Sequence, residues 1–576
     1  MGFSNLKKID PGVGAMIYWL LNYFLARVFP MKTCKNCGLE FEITAEDKKF
    51  YEKAQIPEPT FCPVCRVQRR MAWRNDRSFY VRKCDKNGKE FVSIYPQNTP
   101  FPVYSADEWW KDDWDPLKYG QEVDFSKPFF EQWRELMNKV PRLGIDIVHC
   151  ENSYYCNYCG DDKNCYLDLA GEANEDCYYN LFTKFSKNCA DCTFAYTSEL
   201  CYEVINCHKC WNCRWSMYLE DSNDCAFCFD LKGCSDCLFC FNLRHKKHHV
   251  FNKSLTKTEY EKFKKDLNLG SREAMDGAIL KWKKMMAESA IHRDMWGSNA
   301  EDCSGDGIKN SKNCHTCFNI VNSWDCKYLY DVLDAKDCYD LNYSLYKPEV
   351  ACELISTLAM KYSAFNMASH YCDNVFYCDQ CNNTSECFGC IALNRYKYCI
   401  LNKQYSEEEY KKLKARLIEY MVRTGEWGEF FPAQISPCGY NETVAMEYMP
   451  ITKEEALKKG YKWKEVSKRE FVKQKYEIPD VITDVPDVIC DEVLACVDCG
   501  KNFKIIPQEF KFYKERILPV PMKCPDCRHL DRMKIRTPRQ LWDRTCSKCG
   551  EKIISTYEPT RPEKVYCAKC YEGEVY

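Results

Sequence analysis

Paired cysteines carry the chemistry that is most directly legible in this chain. Cys34-x2-Cys37 is followed after 24 residues by Cys62-x2-Cys65, and Cys496-x2-Cys499 is followed, again after 24, by Cys524-x2-Cys527. Tetrahedral Zn2+ takes four soft ligands, and two C-x2-C knuckles supply them on tight turns, with Gly38 and Gly500 placed to permit the turn. A third set, Cys546-x2-Cys549 and Cys567-x2-Cys570, has 17 residues between its knuckles. Four thiolates leave no open coordination position, so these ions would be structural rather than catalytic. The expectation is three zinc ions.

The two ends are copies of each other. A shift of 462 lays Gly38 on Gly500, Phe41 on Phe503, Phe50-Tyr51 on Phe512-Tyr513 and Pro63 on Pro525. The same shift sets Cys84, Asn87, Ser105 and Glu108 opposite the four cysteines of the third set. One thiol with an amide, a hydroxyl and a carboxylate is a poor zinc set, so that ribbon reads as degenerate.

Both ends also carry five coincident arginines: Arg66, Arg70, Arg74, Arg77 and Arg82, against Arg528, Arg532, Arg536, Arg539 and Arg544. Steps of 4, 4 and 3 put the first four of each set on one helical face. Beside Trp73, Phe79 and Tyr80, or Leu541 and Trp542, such a face can grip phosphates and stack on bases, which points to RNA or DNA as partner. The competing reading is packing over the ribbon with ion pairs to nearby acids. Catalytic motifs are absent from the pattern: there is no P-loop, G-x-G-x-x-G, H-E-x-x-H or G-x-S-x-G. His245, His248 and His249 cluster without a nucleophile beside them.

The elements that position these groups show in the middle of the chain. Sixteen cysteines lie between Cys150 and Cys240, all at numbers divisible by three, and Cys165, Cys177, Cys189, Cys201, Cys213, Cys225 and Cys237 mark a twelve-residue repeat. A fixed short period signals stacked coils. Asn164, Asp176, Asn188, Asn212, Asp224 and Asp236 precede repeat cysteines, where Asx residues suit a corner and can ladder. The spacing predicts short β-bridges and turns with inward positions at every third residue, and cysteine acting as a small buried hydrophobe. A shift of 150 lays Cys228 on Cys378, Cys237 on Cys387 and Asn252-Lys253 on Asn402-Lys403, so a second repeat block follows, although residues 341–371 break the period. Each block ends on a capping box, Thr256 to Glu259 and Ser406 to Glu409, opening an amphipathic helix that can cover a coil end.

The chain of 576 residues carries Lys+Arg 82 against Asp+Glu 84, a net charge of −2, with 45% hydrophobic and 29% charged residues. That balance excludes a uniformly basic nucleic-acid coat, an acidic tail protein and a disordered chain. The 43 cysteines sit in a chain far longer than disulfide-stapled secreted domains, and C-x2-C pairs favour a reducing, cytoplasmic setting. Gly12 to Phe29 is apolar but holds Asn22 and Arg27, which argues against a membrane span and for a docking helix or an over-long translation start.

The fold class expected is mainly β with helical caps, zinc ribbons at both ends flanking two twelve-residue β-solenoid modules. The boundaries are an apolar segment at 1–30, a ribbon at 31–82, a degenerate ribbon at 83–118, a helical linker at 119–148 and the first solenoid at 149–253. A helical cap and linker at 254–297, the second solenoid at 298–403, a cap at 404–424, a connector at 425–489 and ribbons at 490–540 and 541–576 complete it. In period alone, the repeat resembles the twelve-residue β-helices of insect antifreeze proteins. The -CxxCGxxF- and -PxxCPxCR- ends resemble probable zinc-ribbon domains of bacterial proteins. The whole order, with NCxxCY-type repeats and Ser436 to Thr443, resembles large Cys-rich proteins of uncultivated, small-genome bacteria; that resemblance implies an architecture and no activity. The function expected is a non-enzymatic zinc-binding scaffold contacting nucleic acid through the arginine faces, with protein partners on the solenoid faces. The alternatives are a thiol-based redox or metal-storage protein and an envelope-associated structural protein.

Overall fold

The computed structural model describes residues 31–344, 346–356, 358–465 and 471–576. The apolar segment Gly12 to Phe29 lies outside the described residues. The molecule is mainly β, with twelve α-helices among the described residues. Its centre is a parallel ladder in which each residue pairs with the one twelve further on: Tyr154 with Tyr166, Tyr166 with Tyr178, Cys225 with Cys237, Phe229 with Phe241.

The backbone explains the period. His149, Asn152, Tyr155, Tyr158 and Asp161 have φ of 53°, 47°, 56°, 55° and 57°, and the left-handed conformation recurs at nearly every third residue to Asn252. Four such corners per twelve residues close the chain into a four-faced parallel barrel. Asn and Asp occupy many corners because their short polar side chains tolerate this conformation. They also ladder: Asn212 Nδ2 donates to Asp224 Oδ1 at 2.6 Å, and Asn313 Nδ2 to Asp325 Oδ1 at 2.8 Å. The residue after each corner points inward. The interior is narrow, and a thiol fills it while donating its S–H to carbonyls two residues back and nine on, as Cys177 does to Glu175 and Ser186 at 3.5 Å each. Serine does the same in its turn: Ser186 Oγ donates to the Lys184 carbonyl and accepts from the Ser198 N–H. A small side chain with one donor suits this position, which accounts for much of the cysteine content, although Val204, Leu219 and Leu231 fill the same interior. None of the 43 cysteines is in a disulfide.

A second barrel runs from Gly297 to Gln404. Its register is twelve up to Lys336, thirteen between Lys336 and Glu349, then twelve again from Glu349 to Lys361 to Asp373. The apparent break at 341–371 is therefore one extra residue and a lapse in cysteine use, with the coils continuing through it. Both barrels end in a short antiparallel return, His249 with Ser254 and Cys399 with Gln404, followed by the expected capping-box helices Lys257–Asp266 and Glu407–Thr424. Tyr260 and Tyr410, both fully buried, plug the two ends.

The assembly of these parts is crossed. Helix Phe129–Met137 precedes the first barrel in sequence but packs on the second, where Trp133 Nε1 donates to the Tyr377 carbonyl at 3.1 Å. Helix Arg272–Glu288 precedes the second barrel but packs on the first, with Trp282 Nε1 donating to the Cys228 carbonyl at 3.3 Å. One core cluster thus joins residues near 34–143 to residues near 339–435, and another joins 178–296 to 478–571. The expected linkers are part of these cores rather than spacers: Phe431 packs on Trp133 at 4.4 Å between ring centroids, and Ile482 and Ile489 are buried in the second cluster.

Candidate metal centres

Each four-cysteine site grows from the same local fold. The first begins with the hairpin Met31–Thr33 and Glu40–Glu42, whose knuckle carries Cys34, Cys37 and Gly38 at φ 76°. Helix Ala45–Ala54 follows, started by a Thr44–Asp47 capping box. Cys62 then caps helix Pro63–Met71, with Pro63 and Cys65 in its first turn. Proline at the first helical position is pre-set for the turn, and the helix N-terminus favours thiolates. Under the shift of 462 the C-terminal copy reproduces the first helix and the start of the second, with helices Pro507–Arg516 and Pro525–Ile535, the latter two residues longer.

The sulfurs of Cys34, Cys37, Cys62 and Cys65 all lie within 4.8 Å of one another, as do those of Cys496, Cys499, Cys524 and Cys527, and of Cys546, Cys549, Cys567 and Cys570. Cys37 and Cys62 sulfurs stand 3.8 Å apart, Cys499 and Cys524 3.7 Å, Cys549 and Cys567 3.8 Å. A tetrahedron with metal–sulfur bonds of about 2.3 Å has edges of about 3.8 Å, so the donor sets fit a four-coordinate structural ion such as zinc. Backbone donors already face the sulfurs: Cys62 N–H to Cys34 Sγ at 3.2 Å, Cys567 N–H to Cys546 Sγ at 3.3 Å. A hydrogen bond from the Cys65 thiol, more than any other contact, holds Cys62 down at about 5. Against the penalty of burial, backbone N–H groups hold Cys496 and Cys546 down at about 6 each.

The degenerate ribbon keeps the hairpin, Tyr80–Lys83 with Glu90–Ser93, and replaces the metal with a polar knot. Glu108 accepts from Asn87 at 2.8 Å and from Lys111 at 2.6 Å, and pairs with Lys86 at 3.3 Å; Ser105 N–H points to Cys84 Sγ at 3.5 Å. His245, His248 and His249 join no metal-like grouping among the described residues.

The arginine faces correct the sequence reading. Most of these arginines do not meet solvent: Arg66, Arg70 and Arg74 are 1%, 0% and 2% exposed and Arg528 and Arg532 5% and 1%, while Arg77, Arg539 and Arg544 are partly exposed. Arg66 Nε lies 2.9 Å from Asp340, and Arg70 Nη1 3.1 Å from Asp340 and 3.5 Å from Glu353. Arg528 Nε lies 3.0 Å from Asp191, and Arg532 Nη1 2.9 Å from Asp191 and 3.1 Å from Glu203. Arg74 is held between the rings of Tyr158 and Tyr343 at 3.9 and 4.0 Å, and its copy Arg536 sits over Phe194 at 4.3 Å. Arg539 pairs with Asp331, Arg77 with Asp526 at 3.5 Å, and Arg82 with Asp85 at 2.6 Å; Arg544 donates to the Glu558 and Glu563 carbonyls. All ten have internal partners, and the buried ones are unavailable to phosphates.

Sequence reasoning missed the acidic partners. Asp191, Glu203, Asp331, Asp340 and Glu353 are all barrel corners with positive φ. Their signal was the repeat itself: Cys189 to Cys338 is a shift of 149 that carries Asp191 onto Asp340, and one extra residue later Glu203 falls on Glu353. The N-terminal four-cysteine unit therefore docks on the second barrel and the C-terminal unit on the first. Tyrosines of the first barrel are likewise internal: Tyr178 and Tyr202 are buried, the latter against Phe512 and Tyr513.

Between the barrels lies a cleft of about 430 Å3, walled by Tyr158, Phe182 and Tyr196 from the first barrel and Tyr343 and Asn319 from the second, with Arg74 at its base. The Tyr343 hydroxyl is buried without a partner. Lys184, whose amine burial holds below its usual range, pairs with Glu172 at 3.0 Å on the same wall.

Residues 490–535 match the model of a probable treble clef domain, which covers one four-cysteine site. No curated protein matches the chain. A solved structure described as a "putative acetyltransferase" from Desulfovibrio desulfuricans G20 is 9% identical over 47% of this chain and 69% of its own, with a TM-score of 0.11, too low for structural argument. The matched domain and the three four-cysteine groups together support structural metal binding of the zinc type, with a treble clef at residues 490–535.

Proposed function

We propose that the protein is a zinc-organised scaffold in which two twelve-residue β-solenoids are clamped side by side to present the cleft between them. Three Zn2+ ions are the structural cofactors of this reading. The observation that carries it is the crossed pair of buried arginine clamps, Arg66 and Arg70 on Asp340 and Glu353, and Arg528 and Arg532 on Asp191 and Glu203. Each arginine row extends from a helix with one metal ligand at its N-cap and another in its first turn, so metal binding fixes the helix and the helix fixes a distant barrel. Aromatic walls with a few polar groups are the usual make-up of a site for a small polar ligand.

The thiol-based alternative is less well supported: interior thiols such as Cys189, Cys201 and Cys213 are fully buried and already donate to backbone carbonyls. The envelope-associated alternative rests on Gly12 to Phe29, which lies outside the described residues; among the described residues no helix is long and apolar enough to cross a bilayer. The test is stepwise metal removal with a strong chelator from the full chain, followed by small-angle scattering and by the fluorescence of Trp110, which borders the cleft. The scaffold reading expects the molecule to expand and the Trp110 environment to change in step with metal loss. An unchanged radius and spectrum after all metal is gone would overturn it.

A further inference from the structure

The interiors of the two barrels are not equivalent. In the second barrel, the inward positions Cys317, Ile320, Leu329, Val332 and Ala335 form a dry apolar stack, each 0% exposed. The shift of 149 puts Asp168, Gly171, Asn180, Thr183 and Ser186 at the same places in the first barrel, and Asp162 and Asn174 opposite Ser311 and Ser323. The coil folds with an apolar filling, so the polar one is an addition to the fold, not a requirement of it.

Those residues form a chamber. One carboxylate oxygen each from Asp162 and Asp168 and the Cys165 sulfur lie within 4.8 Å of one another, with all three residues buried; the Cys165 thiol faces the Lys163 and Asn174 carbonyls at 3.3 and 3.6 Å, contacts that a metal-bound thiolate would give up. Asp162 is 1% exposed and its Oδ2 has no hydrogen-bond partner. Asp168, 0% exposed, is oriented by Thr183 Oγ1 at 3.0 Å and Asn174 Nδ2 at 2.8 Å. Asn174 is itself fixed by the Thr183 carbonyl and the Ser186 N–H. Gly171 leaves the space: a Cβ there would fall 2.4 Å from Asp168 Oδ2 and 2.8 Å from Asp162 Oδ2. The same glycine borders the inter-barrel cleft, so one stretch of backbone separates the chamber from it.

We propose that Asp162, Cys165 and Asp168 bind a divalent transition-metal ion inside the first barrel, a fourth site distinct in chemistry from the three four-cysteine groups. Two carboxylate oxygens and one sulfur suit a borderline ion such as Zn2+, and three protein ligands leave one position open. Asn174 and Thr183 are the outer groups that aim Asp168, as metal-ligating carboxylates require. Two buried carboxyls facing each other are costly to keep charged even with neutral donors around them, and a dication removes that cost.

The test is metal stoichiometry on the full chain, equilibrated with Zn2+, desalted and assayed by elemental analysis. The expected result is about one zinc fewer per chain in Asp162→Asn and Asp168→Asn than in wild type, with the thermal unfolding transition retained in both. Gly171→Ala, which fills the space and keeps the ligands, is expected to lose the same ion. Co2+ loading reads the sulfur: the Cys165→Ser variant should lose part of the thiolate charge-transfer band. Equal zinc in wild type and the Asn variants overturns the proposal and leaves the two carboxyls sharing a proton. Because the reading is a difference between variants, it stands or falls independently of whether the four-cysteine sites fill.

Discussion

The crossed docking makes a prediction that local contacts alone would not. Arg70 is 0% exposed and reaches Asp340, Glu353 and, through Nε at 2.9 Å, Asn342. Arg70→Met keeps the length of the side chain and removes its charge, leaving two buried carboxylates short of a partner. Removing one member of a buried ion pair costs about 3–5 kcal/mol, whereas an exposed pair such as Lys411 with Glu407 contributes about 0–1 kcal/mol. Asp340 keeps Arg66 and Glu353 keeps Arg69 at 3.0 Å, so the cost should sit at the low end, about 3 kcal/mol. Urea unfolding of the metal-loaded full chain measures this. Native-state hydrogen exchange locates it: amides of 336–356 in the second barrel should lose protection, while those of 187–204 in the first should not. Arg532→Met should do the reverse. A cost under about 1 kcal/mol, or a loss of protection in the first barrel rather than the second, would refute the clamp.

Three further outcomes follow from the same structure. Under metal-replete conditions Cys499→Ser, which removes one of four donors, should release one ion per chain and lower stability; zinc content and a thermal melt read both, and unchanged zinc would remove Cys499 from the ligand set. Wild type should lose about 3 kcal/mol more than His292→Gln between pH 6.5 and pH 4. His292 donates from Nε2 to the Met286 carbonyl at 2.7 Å and accepts from Tyr557 at 2.8 Å, and burial holds it down at about 4. Its contribution is thus complete above its ordinary value and lost as pH falls through that window; identical pH slopes in urea titrations would count against it. Under native conditions a thiol reagent should modify Cys150, Cys303 and Cys490, which are partly exposed, and reach Cys189 or Cys225 only after unfolding. Fast native labelling of Cys189 would show that the barrels open.

Much of the local structure is written in the chain because its causes are local. A coil of twelve residues needs four left-handed corners with an inward side chain after each, and where Asx residues take the corners and cysteines the inward positions they fall at fixed numbers and announce the period. The ligand knuckles, the shift of 462 and the two capping boxes are legible for the same reason: turns and helix starts use few residue types. The period was lost at 341–371 because thirteen residues replace twelve once and the inward thiols give way to Leu341, Ala351 and Leu354, which carry no distinctive spacing.

The arginines mark the boundary of that legibility. Their spacing fixes that they share one helical face, and on that count a phosphate and a row of carboxylates look alike. Only the tertiary structure places Asp340, 270 residues beyond Arg70, under that face, and it does so by crossing the two halves of the chain. The sequence by itself determined the coils, the four-cysteine groups and the duplication, because each is fixed by neighbours a few residues away. The tertiary structure decided which four-cysteine unit sits on which barrel, that the charged faces are buried, and that one barrel interior holds a polar chamber. Those depend on contacts between segments that the chain order keeps apart, and on the shape of a space that no single segment encloses.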